Sequence, residues 1–214
     1  MLSRRFVFLA APFTLAAVPL LAQMPSEAPG KPDKTRVAAG TYKLDPGHTL
    51  IGWRVDHLGF SDYFGVFGES TGTLVLDPKN PSAAKVEVTI PVSKVLTASA
   101  GLNAHLLRPG KDGAKADFFG AAPADARFVS TKVTPGNDGM SAMIVGNLTL
   151  NGQTHPVTVA ARFKGAGPGM MGGKPTVGFQ GKATILRSQW GVAAGIPLVS
   201  DKVELDISAP FEKQ

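Results

Sequence analysis

The sequence predicts an all-β protein: an antiparallel β-barrel of about eight strands with a short helix inserted between strands. Short runs of alternating apolar and polar residues recur from Thr41 onward. Gly, Pro, Asn and Asp separate these runs, and 25 Gly with 17 Pro favour turns over long helices. Eight antiparallel strands can close around a space just wide enough for side chains or one small ligand. Closure also removes exposed strand edges.

The runs follow in order. Residues 49–57 set Ile51, Trp53, Val55 and His57 on one face and Gly52, Arg54 and Asp56 on the other. Residues 65–76 form a second run, stopped by Asp77-Pro78. In 85–90, Val86, Val88 and Ile90 alternate with Lys85, Glu87 and Thr89. Residues 127–133 and 141–150 are the fourth and fifth, separated by the turn signal PGNDG. Asn151-Gly152 is a tight hairpin signal leading into 154–163. The glycine-rich stretch 164–175 reads as a flexible hairpin tip, and the runs 176–186 and 201–208 complete the series. Residues 93–119 break the pattern. Leu102, His105 and Leu106 stand at helical spacing within 98–107, and Pro109-Gly110 ends the helix.

Residues 1–22 read as a secretory signal peptide. Arg4 and Arg5 precede an uncharged apolar run that ends at the small residue Ala22. The arginine pair leaves both the general secretory and the twin-arginine route open. Pro12 and Pro19 interrupt the run, which is short for a membrane span. Residues 23–40 are polar and proline-bearing and read as a flexible leader, leaving 41–214 as one domain.

Composition excludes several classes. There is no Cys, hence no disulfide framework, thiolate metal site or Cys nucleophile. The net charge of +6 falls to +4 without Arg4 and Arg5 and is spread along the chain, which argues against nucleic acid as a partner. The four histidines, His48, His57, His105 and His155, lack the spacing of a helical zinc motif. No nucleophile elbow or phosphate loop occurs. His48 and His155 adjoin turns and are expected at the surface. His57 continues an apolar strand face, so it is either a polar group at the mouth of the interior or a core histidine bonded to a carbonyl. Phe60, Phe64 and Phe67 cluster between the first two runs, and Phe118 and Phe119 follow the helix. Aromatic residues beside a barrel opening suit a largely apolar site with a polar rim.

Taken in order, the motifs resemble the YceI-like domain, a periplasmic lipid- and polyisoprenoid-binding family. They are Tyr42-Lys-Leu-Asp45-Pro46-Gly-His48, Ile51-x-Trp53-x-Val55-x-His57-Leu-Gly-Phe60, Gly65-x-Phe67, Asp117-Phe118-Phe119, Gly146-Asn-Leu148-Thr149-Leu-Asn-Gly152, and Arg187-Ser-x-Trp190-Gly191. The link 108–117 is longer than the family's usual one. The resemblance implies an extended lipocalin-like barrel holding an isoprenoid lipid or quinone-like molecule, with no cofactor, no metal and no catalytic residue. The expected ligand-binding residues are Ile51, Trp53, Val55, Phe60, Phe64, Phe67, Leu106, Phe118, Phe119, Phe128 and Trp190. His57 and Arg187 are polar candidates near the mouth, although an arginine there commonly caps a turn. The expectation is a non-enzymatic periplasmic carrier or sequestering protein whose lumen is left open for a guest. A metal-dependent protein using the histidines, or a stress- or redox-associated protein acting with a membrane cytochrome, is the alternative. A membrane surface and a homodimer partner are left open.

Overall fold

The computed structural model describes residues 26–169 and 173–214. The expected signal peptide lies outside the described residues. Eleven strands form a single antiparallel sheet: β1 (Gly40–Leu44), β2 (Leu50–His57), β3 (Ser61–Phe67), β4 (Thr71–Leu76), β5 (Lys85–Ile90), β6 (Val95–Thr97), β7 (Ala126–Pro135), β8 (Ser141–Leu150), β9 (Gln153–Gly167), β10 (Thr176–Leu186) and β11 (Lys202–Lys213). Three consecutive pairs act as single bent strands. β1 pairs with β4 while β2 pairs with β3, and β4 pairs with β5 while β3 pairs with β6. Counted this way, the wall is an eight-stranded up-and-down barrel. β11 closes it, pairing with β1 at Phe211–Lys213 and with β2 at Glu204–Ser208.

The bends are local. Asp45 turns the chain between β1 and β2, its carboxylate accepting from the Gly47 N–H at 2.9 Å while the Thr49 hydroxyl donates to the Asp45 carbonyl at 2.6 Å. Glu69, at φ 54°, breaks the run 65–76 into β3 and β4. A 3-10 turn at Val92–Lys94 separates β5 from β6. The predicted Asn151-Gly152 hairpin is present, both residues having positive φ. The helix α1 is Ala100–Leu106, and the Ser99 side chain caps it by accepting from the Leu102 N–H.

Two expectations change. β9 runs on to Gly167, so the first part of the glycine-rich stretch is strand, not hairpin tip. The latter part of the expected leader is docked: Lys31 exchanges backbone hydrogen bonds of 3.0 and 2.9 Å with Ala166. The glycines permit this approach, since a Cβ on Gly167 would stand 2.1 Å from the Pro29 carbonyl oxygen.

The interior divides into two apolar clusters. One contains Val55, Val92, Ala126, Leu148, Val157, Ile185, Trp190 and Val203. The other contains Tyr42, Leu44, Leu74, Phe163, Ala166, Val177 and Phe211, at the end where β1 and β11 meet. A domain of this kind usually has one continuous core. Here a row in register across four strands, Ile51–Ile207–Gly181–Ala161, belongs to neither cluster.

Candidate ligand site: the barrel interior

Strand alternation decides what faces inward. Ile51, Trp53 and Val55 on β2 stand opposite Phe67, Gly65 and Tyr63 on β3. Ile51 and Val55 are buried, and Trp53, Tyr63 and Phe67 pack against the first cluster while staying partly exposed. Phe128, on β7, pairs with Leu148 and packs against the same cluster. Leu106 is buried, and its carbonyl accepts from the Phe119 N–H at 3.0 Å. That bond brings Phe119 edge-on to Phe67, with ring centroids 6.0 Å apart. Phe118 instead stacks edge-on against His105 outside this cluster.

Two rings rest on inward glycines. A Cβ on Gly65 would stand 2.1 Å from the Trp53 ring, and one on Gly146 would stand 2.3 Å from Phe128. The glycines let these rings lie against the wall instead of projecting across the lumen. Sequence reasoning missed them, although Gly65 sits in phase between Tyr63 and Phe67 and so was readable.

Several expected lining residues stand elsewhere. Phe60 is 89% exposed and Phe64 62% exposed. Phe64 pairs with Arg54 on the outer face of the wall, and Phe60 lies in the turn between β2 and β3, so neither lines the lumen. His57 ends the inward alternation of β2 but is exposed, 6.4 Å from the Tyr63 ring. It is a rim residue and not a core histidine. His155 is half-buried, packed edge-on against Trp190 at 5.2 Å, and the turn before it is tied there by the Asn151 amide, which donates to the Trp190 carbonyl at 3.0 Å.

Arg187 is 6% exposed and does not face the lumen. Its guanidinium donates to four carbonyls, those of Ser200 (2.9 Å), Val192 (2.9 Å), Ala194 (2.9 Å) and Val199 (2.8 Å). Burial draws its pKa below the ordinary value, and Asp201 partly offsets this; an arginine stays protonated regardless. It therefore gathers the loop 191–201 into a cap. The cap is strapped to the β2–β3 turn by the Leu58 N–H, which donates to the Leu198 carbonyl at 2.7 Å. Beneath it Trp190, 1% exposed, donates its indole N–H to the Leu148 carbonyl at 3.0 Å.

Side chains of the two clusters pack the interior at both ends. Two grooves lie on the outer wall. One is bordered by the charged Arg54, Lys182, Glu204 and Asp206 together with Met143, Pro156 and Ala160. The inward alternation contains no Lys, Arg, Asp or Glu except Lys213, the last residue of β11, which stands opposite Tyr42 and donates its Nζ to the Ala39 carbonyl at 2.6 Å at the end of the barrel. Charged groups pair outside instead: Arg54 bonds Glu204, and Arg127 bonds Glu87. Among the described residues no three His, Asp or Glu converge as a metal site. Asp117, outside the barrel, is held below its usual pKa by hydrogen bonds from His105 and Arg108, both 2.8 Å.

The comparisons agree with this architecture. The YceI-like domain profile matches residues 42–211. A UPF0312 protein of Pseudomonas aeruginosa (strain LESB58) is 40% identical over 179 residues, covering 82% of this chain and 88% of the relative. A crystal structure of the Campylobacter jejuni YCEI protein superposes with TM-score 0.61 at 28% identity, covering 74% of this chain and 90% of that one. A polyisoprenoid binding domain from Saccharophagus degradans, implicated in plant cell wall breakdown, has the same fold at 14% identity (TM-score 0.55, 81% of this chain, 98% of that one). With the family match spanning nearly the whole barrel and the sequence relatives close along it, this chain belongs to the YceI-like domain family.

Proposed function

We propose that the protein is a non-enzymatic periplasmic carrier or sequestering protein for an apolar, isoprenoid-type lipid held in the barrel interior. The observation that carries this reading is the inner wall, free of charged side chains except Lys213 at its end, whose two packed clusters are separated by the row Ile51–Ile207–Gly181–Ala161. Burial of an apolar tail contributes about 25 cal/mol per Å², so a guest of several isoprene units binds with few polar contacts. The rings of Trp53 and Phe128, lying against Gly65 and Gly146, are the side chains that yield to it. The polyisoprenoid binding domain of Saccharophagus degradans, which shares this fold, supports the ligand class. The apolar run behind Arg4 and Arg5 supports export.

Native mass spectrometry of protein recovered from a bacterial periplasm tests this. An added mass, matched by uptake of polyprenols or ubiquinone in vitro, is expected. Protein that is empty and takes up neither would contradict the proposal.

A further inference from the structure

Folding gathers at one end of the barrel a charge that is spread along the sequence. In the up-and-down order, β1, β5, β8 and β10 begin at this end, and β4, β7, β9 and β11 finish there. The segment before β1 is held at the same end. Lys31 bonds Ala166 near the close of β9, and a Cβ on Gly139, in the β7–β8 turn, would stand 2.5 Å from the Lys34 Nζ. The segments that build this end are 26–43, 77–85, 132–140, 164–176 and 211–214, and they hold ten Lys and Arg against five Asp and Glu. The segments of the opposite end, 56–62, 97–126, 150–155 and 187–202, hold five against six. Glu27 and Asp33 pair with Lys31 and Arg36. Lys43, Lys79, Lys85, Lys132, Lys164 and Lys174 are exposed and form no salt bridge among the described residues.

From this distribution we propose that the basic end of the barrel is a docking surface for an anionic lipid bilayer. The six unpaired lysines come from β1, the β4–β5 connection, β5, β7, β9 and the β9–β10 connection, so they ring the end instead of lining a groove. A flat field of lipid phosphates meets the whole ring at once, whereas an extended polyanion reaches only an arc of it. A folded protein partner calls for exposed aromatic or apolar anchors. The most exposed ones, Phe60 and Leu198, belong to the opposite end. The contact is therefore electrostatic. Each lysine near an anionic bilayer strengthens partitioning about fivefold, and the attraction decays over about 10 Å at 0.1 M salt. Docking of this kind does not depend on what the interior holds.

The test is flotation of protein recovered from a bacterial periplasm with vesicles of phosphatidylcholine alone or mixed with phosphatidylglycerol. The protein is expected to float with the mixed vesicles at low salt, to ignore phosphatidylcholine, and to be released at about 0.5 M salt. Lys85→Gln, Lys164→Gln and Lys174→Gln combined should weaken partitioning about a hundredfold. Lys111→Gln, Lys182→Gln and Lys202→Gln combined remove the same charge away from this end and should stay within about threefold of the wild type. All six side chains are exposed, so both triple variants should fold. Phe60→Ser, at the opposite end, should bind like the wild type. Equal losses in the two triple variants, a loss in Phe60→Ser, or no preference for the mixed vesicles would overturn the assignment. Tighter binding to soluble polyglutamate than to the mixed vesicles would overturn it in favour of an acidic protein. Each of these outcomes leaves the interior guest untouched, since native mass spectrometry tests that separately.

Discussion

Replacing Arg187 by Ala removes a guanidinium that satisfies the carbonyls of Val192, Ala194, Val199 and Ser200 at 2.8–2.9 Å. A hydrogen bond to a charged group contributes about 1.5–3 kcal/mol, but four bonds sharing one donor group do not add. Leaving buried groups unpaired places the loss at about 3–5 kcal/mol. For a chain of this length that lowers Tm by roughly 6–20 °C. Thermal unfolding by circular dichroism reads the shift, and hydrogen exchange should show the loop 191–201 losing protection first. Arg187→Lys keeps the charge but not the fork geometry and should fall between the two. A Tm within about 3 °C of wild type for Arg187→Ala would refute the reading of this residue as the anchor of the cap.

Gly146→Val should push the Phe128 ring off the wall, costing about 1–3 kcal/mol in urea unfolding and reducing lipid uptake; unchanged uptake would contradict the role given to that glycine. Tyr42 donates to the Ala38 carbonyl at 2.5 Å, and burial raises its pKa. Because the folded value lies above the unfolded one, near 10, its contribution is complete below pH 10 and is lost as pH rises through the folded value. Tyr42→Phe should therefore flatten the alkaline stability profile above pH 10, measured by urea titration. For Asp117 the sign is opposite: its lowered pKa gives a contribution present above the unfolded value near 3.9 and lost as pH falls through the folded one. Asp117→Asn should remove the acid-dependent loss of amide protection at Phe119.

Much of this barrel is legible in the sequence because strand alternation is a local property. The faces of β2, β5 and β11 follow directly from residues such as Ile51, Val88 and Leu205. The bends do not, since Glu69 at positive φ carries no compositional signal and the run 65–76 looks continuous. Phe60 and Phe64 illustrate a different limit. Hydrophobicity suggested the lumen, while the register with Arg54 puts Phe64 on the opposite face. Arg187 contacts carbonyls from five to thirteen residues away along the chain, and only folding of the loop brings them together.

The central claim is that the interior admits an apolar guest beside Trp53. Trp190→Phe leaves Trp53 as the single tryptophan of the chain, and its fluorescence can be titrated with brominated squalene. Saturable quenching, with a stoichiometry near one, is the result predicted. Emission that does not change up to the solubility limit of the probe would contradict the claim.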